Sequence, residues 1–540
     1  GMTRMTSVSR RALRFCTAAV VVLLAAMAAA AALPSVSRAR AGDPFSVLLE
    51  ERMPDLLAKY GVPGSVVSYI ENGEVVWTQA YGMADVGSGR AMQPDMLLEH
   101  GSNGKALTAW AVMKLVEQGK VDLDAPVNSY LKRWQVTSDR YDASQVTLRR
   151  LLSHTAGFNI HGYVDYSSRR AKLPDPVRVL EERHILEGLA EALETGDYSS
   201  GRAELVAEPG AGFKYSGAGY TVAQMVLEDV TGEPFASFVQ REITDPLGAV
   251  SIRWAWTPEL AARAPTPYGN EIQPLEKRQL AVQGIGSEIA TVEDFARFLV
   301  AAVPGPNGEP VGRGVLQPES VREMTHAQPA TDGGYGLGYG IGRDVGEPAI
   351  SHSGANTGWT AYYFLDTTRR TGLVVASNSS RAAPLHISIL GLWSDATFGP
   401  AVHSEQPPDP RFDVIGVASA ALAGILALAL LFSAVRSGWQ IHTGRRVRAT
   451  QLRRSPLLFG LLWLAWLAFI WYTIYSPLPL FLPYNFPDLW PTLGSKLLMA
   501  VITGWVIYSV VASFYVRAPA RAQVAKGESL AMHPTPEVLS

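Results

Sequence analysis

The chain has 540 residues, with apolar side chains at 47% and charged ones at only 18%, a balance that excludes disorder and collagen-like structure and points to membrane segments beside a folded body. Six basic and no acidic residues fall in 1–42, and eleven basic and four acidic in 411–540, so residues 43–410 carry 30 basic and 45 acidic side chains; this negative surplus argues against nucleic acid as a partner. The one cysteine, Cys16, excludes an intrachain disulfide, a thiolate nucleophile in the body and a cysteine-based zinc site.

In chain order, Arg4, Arg10, Arg11 and Arg14 precede an apolar stretch at 15–33, and Ala39-Arg40-Ala41 offers small residues at the spacing an export peptidase reads. Residues 1–42 are therefore predicted to be a signal peptide or an uncleaved N-terminal anchor, and either places residue 43 onward outside the cytoplasm. Residues 43–400 read as the folded domain. Helical spacing runs over 45–60 through Phe45, Leu48, Leu49, Met53, Leu56 and Leu57, and stops at Gly61 and Pro63. Two β-like runs, 65–70 and 75–81, flank Asn72-Gly73, a hairpin signal. Residues 100–300 read as mostly helical, with Leu107, Trp110, Met113 and Val116 on one face of a helix and Gly119 at its C-terminal cap. Two more strands, 359–365 and 372–378, precede a helix over 386–393, and 334–342, rich in Gly and Tyr, reads as a strand. Strands drawn from both ends predict an α/β (α+β) fold: an antiparallel sheet flanked by helices, with an inserted helical subdomain.

Ser102-Asn103-Gly104-Lys105 opens the helix of that central region. A serine at a helix start lies near unsatisfied N–H groups and the positive end of the macrodipole, and a lysine three positions on shares its face. Such a lysine, held neutral, can take the hydroxyl proton. Tyr215, in Phe213-Lys214-Tyr215-Ser216-Gly217, stands before a helical run at 221–230 and could relay protons; His352-Ser353-Gly354-Ala355 leads into the strand at 359–365, its glycine allowing close approach to a ligand. His154 reads as a loop-stabilising residue.

A linker at 401–413, containing Gln406-Pro407-Pro408-Asp409-Pro410, leads to apolar stretches 414–435, 457–475 and 497–516, each long enough to cross a hydrocarbon core. Six arginines and no acidic residue lie between the first two, and Arg517, Arg521 and Lys526 follow the third. The positive-inside rule then predicts three transmembrane helices within 414–516, a cytoplasmic tail at 517–540 and the folded domain on the extracytoplasmic side of a cell membrane.

Taken in order, Ser102 to Lys105, Val121-Asp122-Leu123-Asp124-Ala125-Pro126-Val127, Leu151-Leu152-Ser153-His154-Thr155-Ala156-Gly157, Tyr215 with Tyr220 through Thr231-Gly232, and His352 to Ala355 resemble the serine β-lactamase and penicillin-binding protein superfamily, in its class C-like branch of β-lactamases, D,D-peptidases and esterases. The resemblance covers about residues 45–395. It implies Ser102 as nucleophile, Lys105 as its base and Tyr215 as proton relay. His352 stands where the family's third motif has lysine, the backbone N–H groups of Ser102 and Ala355 form the oxyanion hole, and Gly217, Ser353 and Gly354 line the substrate. The family's Tyr-x-Asn reads Tyr-x-Gly here, so Gly217 supplies no side-chain amide, and a neutral imidazole gives a substrate carboxylate no full charge. Both departures favour esters, small peptides or amides over β-lactams.

The expected activity is acyl transfer through an acyl-serine, without cofactor or metal, on a small-molecule or peptide substrate, with the lipid bilayer as the other partner and the oligomeric state open. Within that chemistry stand an esterase or β-lactamase-like hydrolase, a D,D-carboxypeptidase, and an acyltransferase that releases or cyclises a peptide. A catalytically silent ligand-binding membrane receptor is the reading of another class. No Gly-x-Ser-x-Gly elbow, complete phosphate loop or His-x-x-x-His pair is present.

Overall fold

The computed structural model describes residues 43–399 apart from 164, 171, 183–201, 271 and 345–346, together with 410–448, 465 and 493–517. The chain divides into two units, one containing residues 43–399 and the other the two long helices that follow. The segment at 15–33, the stretch at 457–475 except residue 465, and the tail beyond 517 lie outside the described residues.

Helix α1 (Pro44–Tyr60) starts where the Asp43 carboxylate accepts from the Phe45 and Ser46 N–H groups, and Pro44 occupies the first turn, where no hydrogen bond is lost. It ends at Gly61, whose φ of 62° closes the helix in the left-handed region. Strands β1 (Gly64–Glu71) and β2 (Glu74–Asp85) form the expected hairpin, Asn72 and Gly73 both taking positive φ as a tight two-residue turn requires. With β3 (Arg90–Ala91), β4 (Gly340–Asp344), β5 (Glu347–Asn356), β6 (Trp359–Asp366) and β7 (Thr371–Ser377) they make one seven-stranded sheet in the order β3-β2-β1-β7-β6-β5-β4, every pair antiparallel. The first and last strands meet at its centre, with Val67 opposite Val375.

Alternation along these strands sends side chains to two cores. Val67, Tyr69, Leu373 and Val375 pack under α1 and the C-terminal helix α5 (Ala383–Phe398), against Phe45, Leu49 and Trp393. Val66, Ile70, Val374 and Ala376 face the larger core, built around α2 (Lys105–Glu117), α3 (Gly217–Thr231) and α4 (Val292–Leu299).

The elements depart from the sequence reading in five places. Helix α2 is buried around most of its surface rather than on one face, because sheet and helices enclose it together; Trp110, at 0% exposure, donates its indole N–H to the Tyr339 hydroxyl at 2.7 Å. Ser102 does not open that helix but lies in a 3₁₀ turn, Gly101–Gly104, which feeds into it. Within 334–342 the continuous strand begins at Gly340; Tyr335 makes one isolated antiparallel bridge to Gly340, and the residues between them turn back. Residues 352–355 lie inside β5, paired with β6, rather than in a lead-in to it. Among the described residues between 100 and 300, the helices other than α2 and α3 are short and joined by irregular connections, where turns and side-chain hydrogen bonds replace helical ones.

In the second unit, α6 (Pro410–His442) packs along α7 (Leu493–Ser513). The Trp505 indole N–H donates to the Leu426 carbonyl at 2.9 Å, and the Tyr508 hydroxyl sits 2.7 Å from Ser437 Oγ. Among the described residues one helix, Ala421–His442, is long and apolar enough to cross a membrane, and a shorter apolar run lies at Ala500–Ala512.

Candidate active site

The turn carrying Ser102 is wedged between two close backbone approaches. A Cβ on Gly101, whose φ is 56°, would lie 2.6 Å from the Ala355 nitrogen, and one on Gly354 would lie 1.9 Å from the His100 carbonyl oxygen. Side chains at either position would force β5 off the turn. The glycines thus bring the backbone at Ser102 beside that at Ala355, where two N–H groups can face one developing oxyanion.

Lys105 starts α2 and is 2% exposed. Its Nζ lies 3.1 Å from Ser102 Oγ and donates to the Ile285 carbonyl at 2.6 Å. The same Nζ stands 5.0 Å from the centroid of the Tyr215 ring and 5.3 Å from that of Tyr220. Ser102, Lys105 and Tyr215 are thereby brought around one point, although 110 residues separate lysine from tyrosine.

Tyr215 is held through its ring and through the backbone after it. His154 packs on that ring with centroids 4.1 Å apart, His161 lies 4.6 Å away and His352 6.2 Å. His154 is buried with a φ of 59°, and its Nδ1 accepts the Ser216 N–H at 3.0 Å, which anchors the tyrosine loop. Burial pushes its imidazole pKa well below the ordinary range, with Lys105 acting in the same direction. Ser216 then caps α3, its Oγ accepting from the Gly219 N–H at 3.1 Å. Gly217, the first residue of α3, donates its N–H to the carbonyls of Ile160 and His161, and a Cβ there would lie 2.9 Å from the His161 oxygen. The 160–161 backbone therefore crowds the position from which an asparagine side chain would have to project.

His352 is committed on both sides. Nδ1 lies 2.7 Å from the Ser353 carbonyl, which can only accept, so Nδ1 carries the proton and Nε2 accepts from the Tyr335 hydroxyl at 2.9 Å. Burial pushes the imidazole pKa down to about 4, and Lys105 adds to the shift, so the ring is uncharged near neutral pH. Ser353 and Ala355 are exposed on the strand, with Gly354 buried between them.

Three features were not read from the sequence. Tyr335 lies in the turn taken for a strand, where its neighbouring glycines gave the only hint. Glu288 is fully buried with its carboxyl against Gly104, and burial pushes its pKa well above the carboxylate range while Lys105 pulls it back. Glu99, just before the turn, is buried as well and its pKa is pushed up to about 8, against the pull of its hydrogen bonds from Trp256 and Asn356. Among the described residues no three His, Cys, Asp or Glu side chains are grouped to hold a metal ion.

A family model described as Beta-lactamase matches residues 49–392. Among curated proteins, the chain is 26% identical over 336 residues to Unguisins hydrolase ungD' of Aspergillus campestris, covering 59% of each chain. The match thus spans about three fifths of that relative's length. Protein flp of Staphylococcus aureus (strain COL) is 22% identical over 420 residues, 76% of this chain and 77% of that one. Among solved structures, the octameric penicillin-binding protein homologue from Pyrococcus abyssi superposes with a TM-score of 0.53 at 24% identity, covering 69% of this chain and 81% of its own. That structural likeness speaks for the fold.

Proposed function

Because the chain belongs to the beta-lactamase family, of serine-hydrolase chemistry, we propose that it hydrolyses an uncharged ester or amide through an acyl-serine on Ser102, as a class C-like member of that family. The observation that carries this is the contact of buried Lys105 Nζ with Ser102 Oγ at 3.1 Å. In its unprotonated form the amine can donate to the Ile285 carbonyl while its lone pair takes the serine proton.

Ser102 Oγ attacks the substrate carbonyl carbon and Lys105 accepts the hydroxyl proton. The negative charge moves onto the carbonyl oxygen, between the N–H groups of Ser102 and Ala355. Collapse of this intermediate breaks the bond to the leaving group, which leaves with the proton passed on through Tyr215. Water then attacks the acyl-serine, its proton returns to Ser102 Oγ by the same route, and the acid product departs. His352, uncharged, with Ser353, Gly354 and Gly217, lines the substrate without offering a fixed cation or a side-chain amide. These features favour neutral esters and amides over substrates that need a carboxylate held. A relative named a hydrolase supports turnover over a silent receptor.

The same reading keeps residues 43–400 as the hydrolase domain, 401–413 as a linker and 414–516 as the membrane region. Exposed Leu422, Ile425, Leu428, Leu431 and Phe432 on α6 suit a lipid environment. The arginines that follow α6 orient the hydrolase domain outward.

Purified full-length chain would be treated with a fluorophosphonate and digested for mass spectrometry. Turnover would then be compared on a p-nitrophenyl ester, a chromogenic cephalosporin and a D-Ala-D-Ala peptide. An adduct on Ser102 with the ester turned over fastest is expected; the absence of any adduct would remove the hydrolase assignment.

A further inference from the structure

Resting on the hydrolase reading above, we propose that Glu99 is a positioning residue which, through Asn356, ties strand β5 to the nucleophile turn and so sets the spacing of the Ser102 and Ala355 N–H groups around the oxyanion. Glu99 lies three residues before Ser102, at the end of a short strand, Leu98–Glu99, paired with Ile289–Ala290. Asn356 is the residue after Ala355 and closes β5. The Asn356 Nδ2 donates to Glu99 Oε2 at 2.7 Å and also to the Gly286 carbonyl at 3.2 Å. Glu99 Oε1 accepts from the Trp256 indole N–H at 2.7 Å, and Trp256 stacks over Trp359, the register partner of Asn356 on β6. Glu99, Asn356 and Trp256 are all buried.

One buried carboxyl group therefore joins three segments: the nucleophile turn, the loop at Gly286 and the sheet. The glycine contacts at Gly101 and Gly354 permit the turn and β5 to approach, but van der Waals contact alone does not fix how far one slides along the other. Directional hydrogen bonds do. An oxyanion hole works only when both donors lie within hydrogen-bond distance of the oxygen as it becomes tetrahedral, and a displacement of about 1 Å costs about 10²-fold in rate. Glu99 touches no reacting atom and acts through the backbone it holds.

The test uses the full-length chain and p-nitrophenyl ester turnover, with active enzyme counted by fluorophosphonate titration. Glu99→Gln retains the shape, but in the same pose its NH2 group replaces one of the two accepting oxygens and faces a donor, so one bond is lost. Asn356→Ala leaves the Glu99–Trp256 bond and removes only the bridge, and it decides the matter alone if Glu99→Gln does not fold. Each variant is expected to lose about 30- to 100-fold in kcat with KM within about twofold, and the double variant should lose no more than the worse single one. Phosphonylation of Ser102 should slow in parallel. A part that merely stabilised the fold would lower the melting temperature without changing kcat per titrated site. Unchanged kcat in folded variants, a change confined to KM, or losses that multiply in the double variant would each overturn the proposal. Absence of a Ser102 adduct in the parent chain would overturn the hydrolase reading and this proposal with it, whereas an active parent with fully active variants overturns this proposal alone.

Discussion

The Tyr335 hydroxyl donates to His352 Nε2 at 2.9 Å, because His352 Nδ1 spends its proton on the Ser353 carbonyl. The residue at the third motif is thus an uncharged ring with both nitrogens occupied. A cation at this position could hold a substrate carboxylate; this imidazole cannot, since its pKa of about 4 keeps it neutral across the ordinary working range.

Substrate preference follows from that pairing. His352→Lys is expected to raise kcat/KM for a carboxylate-bearing cephalosporin relative to a neutral p-nitrophenyl ester by about tenfold, the scale of one hydrogen bond to a charged group. The ratio is read from initial rates on both substrates with the same enzyme preparation. A ratio that stays at the parental value would mean that the substrate carboxylate does not reach β5.

Proton transfer makes a second prediction. Lys105→Met removes the group 3.1 Å from Ser102 Oγ while keeping a long apolar stem in its buried slot. Loss of a general base typically costs about 10²- to 10⁴-fold, so kcat should fall in that range. Stopped-flow labelling by a fluorophosphonate should slow as well, with the adduct still on Ser102. Labelling at the parental rate would show that another group takes the serine proton.

Gly217, two positions after Tyr215, gives a third. Gly217→Asn restores the residue type that the family carries, but its Cβ would lie 2.9 Å from the His161 carbonyl oxygen. Overpacking of this kind typically costs about 1–3 kcal/mol. The variant should therefore melt earlier and fail to gain cephalosporin hydrolysis. A gain in hydrolysis at unchanged melting temperature would show that the 160–161 loop yields to the amide.

The legible part of this site was the part written locally. Ser102 and Lys105 are three residues apart, and the hairpin at Asn72-Gly73 and the short apolar runs of β1 and β7 declare themselves within a few residues. Glu99 and Asn356 are 257 residues apart in sequence and bond only because the sheet brings β5 beside the nucleophile turn. Such a pair leaves no spacing to read. Glu288 looks like an ordinary surface charge in Gly286-Ser287-Glu288 and is fully buried only because the pairing of Leu98–Glu99 with Ile289–Ala290 folds it under Gly104. The one-face expectation for α2 failed for a related reason: a helix enclosed on nearly every side has no polar face to contrast with its apolar one.

Acid stability provides a test away from the reaction. His386 on α5 is 1% exposed, and its Nε2 lies 2.9 Å from Ser377 Oγ on β7. Burial pushes its pKa down to about 3, while the unfolded chain protonates it near the ordinary value of about 6.5. Between those values the unfolded state binds a proton that the folded state refuses, so stability is complete above about pH 6.5 and drains away as pH falls toward 3, by up to about 1.4 kcal/mol per pH unit. Other titrating groups, including Glu99 with its opposite slope, cancel when the parent is compared with His386→Leu. The stability of the parent relative to that variant, taken from denaturant titrations at pH 7, 6, 5 and 4, should therefore shrink steadily with falling pH. A constant difference across the series would mean that the imidazole is protonated inside the fold and that the cavity around Ser377 admits its charge.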